Sequence, residues 1–198
     1  MRPDGVGRAW IILALAQVAL VLGACAQTPP TRFYSLTPVP APAASLGPKK
    51  AFAIGVEPVK MPAYLDRLQI VTRSTPTQIT LGEFDTWVEP LEGMVTQTLS
   101  ENILQLSGAK SVVRLPQQRD TDIDRIVDVV VHRFDCEPGA AVLIADWRIF
   151  DSRDRQIAGQ RFQGRSLVSA SGDYPAMVAG MNDLLARLAR EIADSIRD

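Results

Sequence analysis

The apolar positions of this chain change period several times, and each change marks an element. From Ala9 to Val21 every residue except Gln17 is apolar, a run shorter than the roughly 20 residues a spanning helix needs. Periodicity is then lost across Ala26 to Pro48, where prolines at 29, 30, 38, 40, 42 and 48 favour extended, unpacked chain. The island Arg32-Phe33-Tyr34-Ser35-Leu36 interrupts this tether. Its two aromatics and Leu predict a short strand at 32–36 that docks on a sheet edge, given the prolines around it. Phe52, Ile54 and Val56 alternate with Ala53, Gly55 and Glu57 and predict a strand that stops at Pro58. Lys60 to Arg67 reads as a loop, and Gln69–Arg73 with Gln78–Leu81 as a hairpin turned at Ser74 to Thr77.

From Asp85 the period becomes helical, with Val88, Leu91, Val95, Leu99, Ile103 and Leu106 on one face. Pro90 suits a first turn, and Ser107-Gly108 a left-handed stop. Lys110 to Leu115 predicts a strand and Gln117 to Asp124 a polar loop. A meander follows: Ile126–Phe134, Ala141–Phe150, then Gln156–Val168 with a break expected near Gly159 or Gly164. Its turns fall at Glu137-Pro138-Gly139 and Asp151 to Asp154. The last element is a helix capped by Asp173, with Pro175 in its first turn and a wide stripe from Tyr174 through Met177, Leu184 and Leu188 to Ile196. Two amphipathic helices need one apolar surface to cover. The predicted fold is α+β, a mixed β-sheet of about six strands with both helices packed on it, in a single domain over 51–198.

The start of the chain adds an address. Arg2 and Arg8 against Asp4 make a weakly positive segment before the apolar run, and Leu22-Gly23-Ala24-Cys25 closes it. A large aliphatic, two small residues and a cysteine resemble the lipobox of bacterial lipoproteins. On that reading 1–24 is a signal peptide recognised through Leu22, Gly23 and Ala24, Cys25 carries the lipid, and 25–50 is the tether. The alternative is an uncleaved membrane anchor over Ala9 to Ala26. Without residues 1–24 the chain has 19 basic and 21 acidic side chains, and it lacks the basic block that collects phosphates, so nucleic acid is not an expected partner. With the Cys25 sulfur in a thioether, Cys136 is the sole thiol, expected to be buried and inert.

One region is more specific than the rest. It runs Ile54-Gly55-Val56-Glu57-Pro58-Val59, Met61-Pro62-Ala63-Tyr64-Leu65-Asp66-Arg67, Gln69-Ile70-Val71-Thr72-Arg73 and Glu83-Phe84-Asp85-Thr86-Trp87-Val88-Glu89-Pro90-Leu91. With Phe33-Tyr34-Ser35-Leu36, Arg133-Phe134 and Ala145-Asp146-Trp147, it resembles the ABC-type transport auxiliary lipoprotein family (PqiC/YmbA-like). Leu68 and Thr86 depart from the family pattern, where Pro and a basic residue are usual. The resemblance implies a non-catalytic lipoprotein on the periplasmic face of the outer membrane. It would act with an inner-membrane MCE-domain protein and ABC-type transporter components that move lipids, or form a homo-oligomer. The competing class is a stand-alone periplasmic lipid-binding lipoprotein.

Catalytic chemistry finds little to work with. His132 is the one histidine in the chain and sits mid-strand, and Gly164-Arg165-Ser166-Leu167-Val168 lacks the second Gly of a nucleophile elbow. One His and one free thiol do not make a zinc site, no Gly-rich phosphate loop follows a strand, and no cofactor is expected. The partner-binding candidates are Tyr64, Leu65, Asp66 and Arg67, as an aromatic and Arg recognition loop, with Trp87. Their plainer roles are a loop tied down by an Asp–Arg pair, and core packing for Trp87.

Overall fold

The computed structural model describes residues 29–40, 52–116, 122–168 and 172–197. Leu22, Gly23, Ala24 and Cys25 lie outside these residues. The elements are β1 (Arg32–Tyr34), β2 (Ala53–Val56), a 3-10 turn (Ala63–Leu65), β3 (Gln69–Thr75), β4 (Gln78–Trp87), α1 (Leu91–Ser107), β5 (Ser111–Arg114), β6 (Arg125–Glu137), β7 (Ala140–Asp151), β8 (Gln156–Leu167) and α2 (Tyr174–Arg197). The eight strands form one mixed sheet. The α+β class is as expected, and the sheet has eight strands where the sequence predicts about six, since the docking strand and the hairpin share one sheet with the meander.

Strand β6 organises the sheet. Its one edge pairs antiparallel with β7 from Arg125↔Asp151 to Glu137↔Ala140, and β7 pairs in turn with β8. Its other edge is divided between two strands. β2 runs parallel along Arg125 to Val127, and the chain stays beside β6 as far as Lys60, whose carbonyl accepts from Val131 N–H at 2.8 Å. The chain then leaves the sheet, and β3 takes the same edge further on at Thr72↔Cys136. β5 lies outside β2, while β4 and then β1 lie outside β3. The sheet therefore forks, and the loop Met61 to Leu68 stands at the fork.

A bulge at His132 decides what each face carries. Val131 opposes Ala145 and Arg133 opposes Ile144, so two steps on β6 match one on β7. Alternation along a strand has period two, so an extra residue exchanges the faces. Val127, Val129 and Val131 face the helices before the bulge, and Phe134 and Cys136 do so after it. They meet Ile149, Trp147, Ala145, Leu143 and Ala141 of β7, all buried. The opposite face changes from Asp128 to Arg133, Asp135 and Glu137.

The helices cover the first face. α2 packs on α1, β7 and β8, and α1 on β5. Asp173 caps α2 through its carboxylate, which accepts from Ala176 N–H at 3.0 Å. α1 ends at Gly108, whose φ of 73° is the left-handed stop. Its start differs from the periodicity. Asp85 to Trp87 belong to β4, and the helix begins at Leu91 behind Pro90. Phe84, Trp87, Val88 and Leu91 happen to continue the helical spacing, but pairing of Asp85–Trp87 with β1 holds them extended. β8 is continuous, without the expected break. A Cβ at Gly164 would stand 2.7 Å from Leu184 Cδ2 and from Phe162 Cε1, so the glycine lets α2 approach the strand closely.

The docking segment is more firmly held than a tether strand requires. β1 pairs parallel with β4, Tyr34 opposite Trp87. Beyond it Leu36 is buried, Thr37 N–H donates to Asn182 Oδ1 of α2 at 3.0 Å, and Val39 N–H donates to Asn102 Oδ1 of α1 at 2.8 Å. The segment is a strap fixed to both helices. No helix among the described residues is long and apolar enough to cross a membrane.

Candidate functional site

The face of the sheet away from the helices carries ion pairs across four strands. Asp128 of β6 takes Lys60 at 3.3 Å on one oxygen and Arg148 on the other. Asp146 of β7 takes His132 Nε2 at 2.7 Å and Arg161 Nε of β8 at 2.9 Å. Glu137 accepts from Arg133 at 2.6 Å and from Arg165. Arg133 also donates to Asp135 Oδ1 at 2.8 Å, which links this pair to the fork of the sheet.

Asp135 is the centre of that fork. Its side chain has 0% exposure, and a buried carboxylate needs partners for both oxygens. Oδ1 receives Arg133; Oδ2 receives Arg73 Nε and Nη2 of β3 at 3.3 and 2.9 Å and the Tyr64 hydroxyl at 3.1 Å. The Arg73 guanidinium also stands 5.9 Å from the Tyr64 ring centroid. Burial, then the neighbouring Asp135 charge, raises the Tyr64 phenol above its ordinary value. Beside this cluster lies a groove of about 500 Å³ lined by Arg73, Arg133, Glu137, Pro138 and the hairpin turn Ser74 to Pro76.

A second buried carboxylate, Asp85, holds the strap. It accepts the Tyr34 hydroxyl at 2.7 Å and Arg32 Nη2 at 2.8 Å. Burial with the Asp85 hydrogen bond pushes the Tyr34 phenol up to about 12. The Tyr34 and Tyr174 rings lie 6.3 Å apart, so the start of α2 joins this cluster.

The partner-binding candidates separate on burial. Leu65 and Trp87 are 3% and 2% exposed and belong to the core, Trp87 as the last residue of β4 and not in a helix start. Tyr64 is half-buried, while Asp66 and Arg67 are exposed. The loop is tied down by Tyr64 reaching Asp135, and Arg67 Nε donates to the Tyr64 carbonyl at 2.8 Å. An Asp66–Arg67 pair is not what fixes it. His132 is the exposed bulge residue. Cys136 is a free thiol in the core, and burial pushes it up to about 12. Neither Asp85 nor Asp135 is a candidate site residue from the sequence, although Asp85, Tyr34, Tyr64, Arg73 and Arg133 all lie in its specific motifs. Among the described residues no group of three or more His, Cys, Asp or Glu could hold a metal ion.

The fold is an open mixed sheet with one helix-covered face and one face that carries interlocked ion pairs. Residues 34–193 match the ABC-type transport auxiliary lipoprotein component. The chain belongs to that family. In structure it is similar to a crystal structure of an uncharacterized protein, with a TM-score of 0.69 and 23% identity over 85% of this chain and 99% of that one. It is also similar to protein XCC0632 from Xanthomonas campestris, with a TM-score of 0.65 and 19% identity over 82% of this chain and 92% of that one. Both likenesses concern the fold. No curated protein matches the sequence.

Proposed function

We propose that the protein is a non-catalytic auxiliary subunit of an ABC-type lipid transport system, working with an MCE-domain protein of the inner membrane. A lipid on Cys25 holds it to the periplasmic face of the outer membrane. The observation that supports this reading most is the family match over residues 34–193. The geometry agrees with an assembly role. Asp128 and Glu137 are each engaged by two cationic groups and Asp146 by Arg161 and the His132 imidazole, which holds these side chains in fixed positions, while buried Asp135 anchors Arg73 and Arg133 beneath them. The exposed part of the signature loop, Asp66 and Arg67 with the rim of Tyr64, is the proposed contact for the partner. Leu65 and Trp87 are buried and stand outside that contact.

A stand-alone lipid carrier would need an apolar cavity for acyl chains. The groove beside Asp135 is open and mixed in lining, with Arg73, Arg133, Glu137, Ser74 and Thr75 beside Pro76 and Pro138, and is not an enclosed apolar cavity. Mass spectrometry of the protein isolated from envelopes tests the anchor. An N-terminus at Cys25 bearing a diacylglyceryl thioether is the expected result. A protein beginning at Met1 and recovered in the soluble fraction would overturn it.

A further inference from the structure

Five of the seven large apolar side chains exposed among the described residues lie on one wing of the sheet: Phe33, Leu68, Ile79, Leu81 and Val88. Their placement is orderly. Ile79 opposes Arg73, Leu81 opposes Val71, and Thr86 opposes both Gln69 and Phe33. Residues directly opposite one another share a face, and so do alternate residues of one strand. Ile79, Leu81 and Phe33 therefore stand on the face away from the helices. The extra residues Gly82 to Asp85 bulge out of the ladder, so along β3 the step from Leu81 to Thr86 is only two residues. Val88 continues the line past Trp87, its N–H bonded to the Tyr34 carbonyl at 3.0 Å. With two residues per step at about 3.3 Å each, the stripe from Ile79 to Val88 is about 20 Å long.

The strap fixes where this stripe can go. Arg32, the first residue of β1, is only seven residues beyond Cys25. Whatever path it takes, seven residues of chain span at most about 25 Å. A domain of this size is about 40 Å across. A leash shorter than the body it holds keeps the attachment edge within about 25 Å of the leaflet. That edge is β1, and Phe33 is the second residue of it, 68% exposed.

We propose that the apolar stripe of β4 with Phe33 rests on the phospholipid leaflet, so that the domain lies on the membrane by its β1–β4 wing. This rests on lipidation at Cys25. It replaces the stand-off that a long tether would allow, since the strap removes residues 32–39 from the free length. Contact of this kind adds an apolar surface to the acyl anchor.

The test uses the full-length lipidated protein in phosphatidylcholine vesicles. Variants with one added cysteine, Phe33→Cys, Val88→Cys and, as control, Leu167→Cys, are labelled with an environment-sensitive fluorophore. Cys25 is acylated and Cys136 buried, so the new thiol is the one that reacts. Leu167 is 89% exposed and belongs to β8, at the opposite edge from β1. Nitroxide-bearing lipids should quench the probes at 33 and 88 about twofold or more and leave the probe at 167 unchanged. Insertion of about ten Gly/Ser residues after Pro30 should weaken the quenching at 33 by lengthening the leash. Equal, weak quenching at all three positions on protein whose acyl mass is verified would overturn the proposal. Absence of the acyl mass would instead overturn the anchor itself.

Discussion

Tyr64 and Arg73 share one oxygen: the phenol and the guanidinium both donate to Oδ2 of Asp135, at 3.1 and 2.9 Å. The first belongs to the loop at the fork of the sheet and the second to β3, which closes the fork. Asp135 is thus the point at which loop, β3 and β6 are locked together. Asp135→Asn would leave Arg73 and Arg133 without their shared counter-charge, and the loss of one partner of a buried pair costs about 3 kcal/mol or more. Urea unfolding followed by circular dichroism should show the midpoint fall with an unchanged slope.

Tyr64→Phe removes one hydrogen bond to a charged acceptor and keeps the ring under Arg73. The expected loss is about 1.5–2 kcal/mol, smaller than for Asp135→Asn because Asp135 keeps both arginines. Equal losses for the two variants, in the same unfolding assay, would show that Tyr64 and not the carboxylate holds the cluster.

Tyr34→Phe acts at the other buried carboxylate. Asp85 keeps Arg32, but the strap loses its hydrogen bond to β4 at 2.7 Å. Local release should exceed global destabilisation, since β1 has three residues and lies at the sheet edge. Limited proteolysis should cut within residues 29–40 faster in the variant, while the remaining domain resists as before.

Acid should loosen the protein through Glu137. Arg133, the largest influence, and then Arg165 hold its carboxyl below the ordinary value, whereas the unfolded chain regains about 4.3. As pH falls below that value the unfolded state takes up the proton first. Stability from this group is therefore complete above about pH 5 and is lost as pH falls toward the folded value. Glu137→Gln should be less stable than the parent at pH 7 and closer to it at pH 3, measured by urea midpoints. Asp151, lowered to about 2 chiefly by backbone N–H bonding at the β7–β8 turn, behaves with the same sign over a wider acid range.

Gly164→Ala places a methyl 2.7 Å from Leu184 and Phe162. Forced overpacking of this kind costs about 1–3 kcal/mol, read as a drop in thermal midpoint. A neutral result would mean that α2 does not sit this close to β8.

Much of this architecture was legible in the pattern of apolar residues, because both helices and the meander bury continuous faces. The helix stripe from Tyr174, its Asp173 cap and the stop at Gly108 followed from local chemistry. What was not legible depended on partners distant in the chain. Asp85 meets residues 51 and 53 positions away, and Asp135 meets one 71 positions away. An acidic residue in a strand gives no hint that it is buried. The exchange of faces at His132 was written in the sequence, where acids shift from position 128 to 135 and 137, but β-branched residues on both sides of the strand masked it. The extension of β4 to Trp87 was hidden for a different reason. Its apolar residues continue the helix spacing, and only pairing with β1 separates them.

The proposed function requires a folded, lipid-held module that works by contact. Tagged full-length protein, cross-linked in intact cells and purified from detergent-solubilised envelopes, measures this directly. The expected result is co-recovery of an MCE-domain protein and ABC transporter components in fixed ratio, reduced several-fold by a paired Asp66→Lys and Arg67→Glu reversal that leaves the fold intact. Recovery of the protein alone with bound lipid, and with no dependence on Asp66 or Arg67, would contradict it.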